Sequence, residues 1–412
     1  MVRNVTRRDV LKGAGAVGAA GVTGVAGCLG GGGGGSRTIQ QGVLLPLTGD
    51  LANLGGPIRD GATLPASELE GETEFTFDIQ EEDTETNAQA GISGAETLVN
   101  NGFPAITGPA SSGVNMQVTQ QVLIPNETVG CSPSSTSPAV TDLDDDDFIF
   151  RTAPSDALQG QVIAQVAAEE LGNSTAATMY VNNDYGQALS ESFTSTFEEE
   201  HGGSVSNQVS FEQEQNSYSS QLESALEGEP DTLVVIGYPA SGIQLFRDYY
   251  SNYDTGEDIV VTDGLLDDQL PDEVDNDMGN VTGTGPKASG PGRDAFDELY
   301  MEEYDREPGV FNAHAYDATA VSFLANVYAG ENDGPAVRDN MRRAANPEGE
   351  QFGPGELVEA VEAAAAGDDI NYQGASSAVN FDDNGDMTAV SYGIYEVEDR
   401  EFTEVDSIAF GG

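Results

Sequence analysis

Pro104-Ala105-Ile106-Thr107-Gly108-Pro109-Ala110-Ser111-Ser112-Gly113 reads as a short apolar strand, a Gly-Pro break, and a serine pair able to start a helix. The same punctuation recurs on both sides of it. Before it come a strand over Ile39 to Leu47, a Gly-rich turn over Gly49 to Gly56, a helix over Ile58 to Leu69, a strand over Phe75 to Ile79 and a helix from Asn87 to Asn100. After it come strands at Thr128 to Cys131 and Phe148 to Arg151. The alternation predicts α/β layers with largely parallel sheets.

The pattern restarts beyond Ala153-Pro154-Ser155-Asp156, with strands at Ala177 to Val181, Ser204 to Phe211, Thr232 to Ile236 and Ile259 to Thr262 separated by helices. From Gly283-Thr284-Gly285-Pro286 onward the chain turns mostly helical, and those helices need a sheet to cover, for which the first is the natural host. Strands are expected at Ser377 to Phe381 and Ala389 to Val397, joined by Asp382-Asp383-Asn384-Gly385-Asp386. That loop mimics a calcium motif but lacks its glycine and its closing glutamate, so a plain turn is expected.

The chain has 412 residues, 71 Asp plus Glu against 15 Lys plus Arg, and a formal net charge of -56. Nucleic-acid binding, which needs a basic face, is excluded. Lys12 and Lys287 are the only lysines, and the acids are dispersed rather than gathered in a tail. Such self-repulsion is tolerable where salt screens it over about 3 Å at 1 M, which points to an extreme halophile.

Residues 1–27 read as a twin-arginine signal: Arg7-Arg8 in the charged region, then a Gly/Ala/Val run too short and too weakly apolar to span a bilayer. The GxGxxG inside that run follows no strand and is no dinucleotide site. Val25-Ala26-Gly27-Cys28 resembles a lipobox, so Cys28 is expected to carry lipid, with residues 28–37 as a glycine-rich tether. Cys131 then has no disulfide partner and reads as a small apolar residue on a strand.

Only His201 and His314 are available for acid–base work, and neither has metal-ligand spacing; no GxSxG, P-loop or CxxC follows the signal, so an enzyme is not expected. Two hydroxyl-rich loops stand at carboxyl ends of strands, Gly108 to Gly113 and Ser132-Pro133-Ser134-Ser135-Thr136-Ser137-Pro138. Serines there either cap helices or, with the N–H groups of a helix start, form a neutral carboxylate cradle.

In order along the chain, Gly42 to Gly49 (GVLLPLTG), the two serine loops, Phe150-Arg151-Thr152, Asp184-Tyr185-Gly186, Gly237-Tyr238 and Asp383-Asn384-Gly385-Asp386 resemble the substrate-binding proteins of branched-chain amino-acid ABC transporters. The resemblance covers nearly all of residues 38–400. It implies a two-lobed type I periplasmic-binding-protein fold with a three-strand hinge, lobe 1 being 38–153 plus 288–386 and lobe 2 being 154–287 plus 387–406. It further implies that the Ser112 hydroxyl, the Ser134 backbone N–H and the Thr136 hydroxyl hold a ligand carboxylate. Tyr238 and Asp263 would meet an ammonium, and Tyr185 would face the ligand side chain. Leu54 stands where some members carry an aromatic wall, which leaves side-chain preference open.

The resulting expectation is a lipid-anchored receptor on the outer face of the membrane that captures an amino acid, a branched-chain one foremost, and hands it to ABC permease subunits, with no cofactor and no metal. A receptor for urea, a short amide or another small solute on the same fold is the alternative, and a purely structural surface lipoprotein the less favoured one.

Overall fold

The computed structural model describes residues 37–345 and 348–411. The expected signal, Cys28 and most of the tether fall outside the described residues. From Arg37 the chain is one compact unit. Among the described residues no helix is long and apolar enough to cross a membrane.

The first sheet is built from β1 (Thr38–Leu45), α1 (Ala52–Leu69), β2 (Thr76–Asp83), α2 (Ala88–Asn100), β3 (Ala105–Thr107), α3 (Ser112–Val118), β4 (Val129–Ser132) and β5 (Ile149–Arg151). Its strands lie all parallel in the order β2-β1-β3-β4-β5. The second half begins with α4 (Asp156–Gln165), β6 (Thr175–Val181), α5 (Asp184–Glu199), β7 (Ser204–Phe211) and α6 (Ser219–Ala225). It continues through β8 (Thr232–Ile236), α7 (Pro239–Asn252), β9 (Asp258–Val261), α8 (Leu270–Val274) and β10 (Val281–Pro286). The chain then runs through α9 (Arg293–Tyr304), α10 (Asn312–Ala329), α11 (Gly334–Ala345), β11 (Glu350–Phe352), α12 (Leu357–Ala366) and β12 (Ile370–Tyr372), and closes with β13 (Val390–Glu398) and β14 (Glu401–Phe410). The second sheet has the order β14-β13-β10-β9-β8-β6-β7, with β13 and β14 antiparallel.

Central strands β3, β4 and β8 are buried throughout, as covered parallel sheets require, whereas β2 and β7 at the edges largely alternate exposed and half-buried residues. Helix α10 is buried almost all round. It packs on β1, β3 and β4 and is walled by α1, α11 and α12, so the C-terminal helices do cover the first sheet. The chain passes between the sheets after β5, after β10 and before β13.

Four local expectations need correction. Helix α1 begins at Ala52, not Ile58, because the glycines read as a turn serve close packing: a Cβ on Gly55 would lie 1.8 Å from the Pro46 carbonyl oxygen. Strand β1 ends at Leu45, and the expected 377–381 strand is an irregular segment with one bridge, Phe381 to Met387. Its Val379 and Phe381 are buried in the core that covers the first sheet. Strand β14 has no counterpart in the sequence reading, and neither do the three-residue β11 and β12.

Candidate functional site

Counted along each half, the parallel strands repeat one order: β2-β1-β3-β4-β5 in the first sheet and β7-β6-β8-β9-β10 in the second. In each, the order reverses between the first and third strands, where loops leaving the carboxyl ends diverge and open a crevice. A small cavity lies where the two sets of loops meet.

The first sheet supplies Leu51, Leu54 and Ile58 after β1, Ala110, Ser111 and Ser112 after β3, and Ser134 after β4. The second supplies Tyr185 after β6, Tyr238 after β8, and Asp263 and Gly264 after β9, while Phe311 enters from the turn before α10. Five of the six residues read as ligand contacts therefore line one cavity. Thr136 does not: its hydroxyl donates to Asp156 Oδ2 at 3.0 Å behind the loop.

Gly108, at φ +114, lets the β3 loop turn sharply; a Cβ there would meet the Leu44 carbonyl oxygen at 2.2 Å. This delivers Ser111 to the N-cap of α3 and Ser112 to its first turn. Ser112 Oγ accepts from the Ser137 N–H at 3.2 Å, which joins the two serine loops. The Ser134 N–H makes a long bond of 3.4 Å to Ser132 Oγ. Its own hydroxyl is buried with no partner in the protein. An unmet buried hydroxyl costs about 1–3 kcal/mol, so a ligand oxygen at this position would be stabilised by it.

Across the cavity, the rings of Tyr185 and Tyr238 stack with centroids 5.7 Å apart and planes at 11°. Tyr185 OH donates to Asp263 Oδ1 at 3.0 Å and lies 2.7 Å from Thr262 Oγ1. Tyr238 OH lies 3.0 Å from Ser111 Oγ and accepts from Asn183 Nδ2 at 3.1 Å. Burial pushes the Asp263 carboxyl up to about 6, against the opposing bonds from Gln159 and Tyr185. Burial, reinforced by Asp263, holds Asp156 well above the carboxylate range, and its Oδ1 has no partner. Asp263 is thus the one charge facing a cavity whose lining contains no Lys, Arg or His.

The arrangement has three chemical faces: neutral hydroxyls at the start of α3, an acid with two phenols opposite, and an apolar wall of Leu51, Leu54, Ile58, Ala110 and Phe311. Sequence reasoning missed Phe311, which carries no local signal because α10 returns to the first sheet only after β6 to β10 of the second have been laid down. The wall, which Leu54 alone left thin, is completed by that ring. His314, also in the first turn of α10, is pushed down to about 3 by burial and by Arg293; His201 sits 3.6 Å from Glu169. Neither histidine lines the cavity. Among the described residues no group of three or more His, Cys, Asp or Glu could hold a metal ion.

The sequence profile described as "Periplasmic binding protein" matches residues 38–391. The chain belongs to that family. A twin-arginine translocation signal profile matches residues 4–24 of this binding protein. Its relative "Chemotactic signal transduction system substrate-binding protein BasB" of Halobacterium salinarum is 28% identical over 304 residues, covering 72% of this chain and 71% of the relative. Leu/Ile/Val-binding protein BraC3 of Rhizobium johnstonii is 26% identical over 158 residues, 38% of this chain and 42% of its own. Among solved structures, the leucine-binding protein LivK of Thermotoga maritima superposes with a TM-score of 0.76 at 24% identity, covering 90% of this chain and 98% of that one. A solute-binding protein of Rhodopseudomonas palustris in complex with benzoate superposes at 0.71 with 16% identity, covering 92% and 98%. These superpositions establish the type I periplasmic-binding-protein fold.

Proposed function

We propose that this protein captures an amino acid with an aliphatic side chain between two lobes, residues 38–153 plus 288–386 and 154–287 plus 387–406, and presents the closed form to ABC permease subunits. It does so outside the membrane, exported by the twin-arginine route and held by lipid on Cys28, in a salt-rich medium. The observation that carries the reading is the cavity's polarity: neutral donors at one end, Asp263 at the other and an apolar wall between them. A zwitterion places its carboxylate on the Ser112 hydroxyl and the Ser134 N–H and hydroxyl, and its ammonium on Asp263. Benzoate would leave Asp263 buried without a cation, which costs several kcal/mol, so an aromatic acid fits this chain less well. A neutral amide would satisfy the serines but not the charge.

A second output is favoured by the relative named for chemotactic signal transduction: the same closed form would be read by a signalling partner rather than by a permease. The capture chemistry is the same in both.

Ser112→Ala removes a donor to the ligand carboxylate. A bond to a charged group contributes about 1.5–3 kcal/mol, so titration calorimetry should show affinity for the amino acid falling roughly ten- to a hundredfold. An unchanged dissociation constant would move the carboxylate elsewhere.

A further inference from the structure

Helix α7 starts at the carboxyl end of β8, beside the cavity, and has no side-chain cap of its own. Its first residue, Pro239, lacks an N–H, and the Gly242 N–H already bonds Tyr238 O at 2.8 Å within the turn. Two N–H groups, of Ala240 and Ser241, are left without intrahelical partners. Both are met from the other sheet. The Ala240 N–H donates to the Asp50 carbonyl at 3.2 Å, and the Ser241 N–H donates to Asp50 Oδ1 at 2.7 Å. Ser241 Oγ donates to Asp50 Oδ2 at 2.8 Å and accepts from the Glu214 N–H at 2.9 Å, which closes the ring of bonds.

Asp50 lies in the connection from β1 to α1, 191 residues before its partner, and both residues are 1% exposed. The contact has company: Asn53 Nδ2, in the first turn of α1, donates to Asp267 Oδ2 at 2.7 Å. Leu51, which ends the same connection, and Leu54 in the first turn of α1 pack into the apolar cluster of the second sheet.

We infer that Asp50 is a positioning residue that caps α7 in trans and thereby holds the two lobes together, setting how readily the cavity closes around a ligand. All of these bonds join protein groups, so the fastening needs no ligand to complete it. If the lobes part, α7 loses the cap for both N–H groups at once. The carboxylate gains water in exchange, which offsets part of that loss. The enclosure is visible in the carboxyl itself, which burial pushes up to about 6 against the two Ser241 bonds, with Glu214 adding to the rise. Asparagine in its place keeps the Oδ1 acceptor for the Ser241 N–H and can turn its Nδ2–H toward Ser241 Oγ, so it should still fasten the contact.

The inference rests on the two-lobed reading above but not on the identity of the ligand, and its test separates the two. Small-angle scattering of the unliganded protein in molar KCl should give a larger radius of gyration for Asp50→Ala and no increase for Asp50→Asn, whose Oδ1 still accepts from Ser241. Loss of a helix cap corresponds to a factor of about three to thirty, and the affinity of Asp50→Ala for leucine, isoleucine and valine should fall by that factor and be restored in Asp50→Asn. If Asp50→Ala does not fold, Ser241→Ala, which keeps the N–H bond, should shift the radius in the same direction by less. An unchanged radius of gyration in these variants overturns the inference. Larger radii without binding of any amino acid would uphold it while overturning the ligand assignment.

Discussion

Arg151→Met is expected to lower the stability of the protein by about 3–5 kcal/mol, the cost of removing one partner from a buried, hydrogen-bonded ion pair. The Arg151 side chain is 1% exposed at the end of β5, and all of its donor nitrogens are used. Nε donates to Asp386 Oδ1 at 2.6 Å; Nη2 donates to Asp386 Oδ2 at 3.0 Å and to Thr141 Oγ1 at 2.8 Å. Nη1 donates to the carbonyls of Ser135 and Ser137 at 3.1 and 2.9 Å. One guanidinium thus ties the second serine loop to the last crossing between the sheets. Methionine fills the volume but leaves Asp386 with only the Thr141 hydroxyl and its own turn, and takes the side-chain donor from the Ser135 carbonyl, while the Ser137 carbonyl keeps the Val140 N–H. Urea unfolding in molar KCl measures the loss; a change below about 1 kcal/mol would mean that the network carries little of the fold's stability.

Asp263→Asn should do the converse, sparing the fold and removing the ligand. The Tyr185 hydroxyl can donate to the Asn oxygen as it does to Asp263 Oδ1, so the local geometry has no reason to change. The charge is lost, and truncating one side of a buried ion pair costs about 2–5 kcal/mol, roughly thirty- to several-thousandfold in affinity. The sign of the pH dependence follows from the same carboxyl. With the group at about 6 in the unliganded protein, an ammonium that needs it ionised binds progressively more weakly as pH falls below 6, approaching tenfold per pH unit, with proton release on binding. Asp263→Asn should abolish that contribution. Stability runs the other way: a carboxyl raised on folding favours the fold at low pH and loses that contribution as pH rises through about 6, so the Asn variant should be no less stable than the parent at pH 7. Affinity that is flat in pH, or retained in Asp263→Asn, would place the ammonium elsewhere.

The fold was legible because its signal is local. Apolar runs such as Thr232 to Ile236, broken by Gly237 and Pro239, mark a buried parallel strand and the helix after it wherever they occur. The carboxyl-end loops of β3, β4, β6, β8 and β9 could be located for the same reason, and loops at those ends are where such sheets converge. What stayed hidden depends on long-range packing. Strand β14 is an edge strand whose Glu401, Glu404 and Asp406 face solvent, so its sequence lacks a buried run. Residues 377–381 have the composition of a strand, but only Val379 and Phe381 reach the core, and a single bridge stands in place of a ladder. Phe311 and Asp50 take their roles from elements distant in sequence, and no spacing rule connects them to the cavity or to α7. Thr136 looks like its neighbours in the serine loop, yet the buried Asp156 behind it claims its hydroxyl.

Titration calorimetry of the protein in molar KCl with leucine, isoleucine, valine, other amino acids, short amides and benzoate, repeated with Asp263→Asn, tests the polarity of the cavity most directly. An aliphatic amino acid should bind, at about -8 kcal/mol if the dissociation constant is near 1 μM, and Asp263→Asn should no longer bind it. Silence toward every amino acid with binding of benzoate or an amide, unaltered in Asp263→Asn, would contradict that polarity.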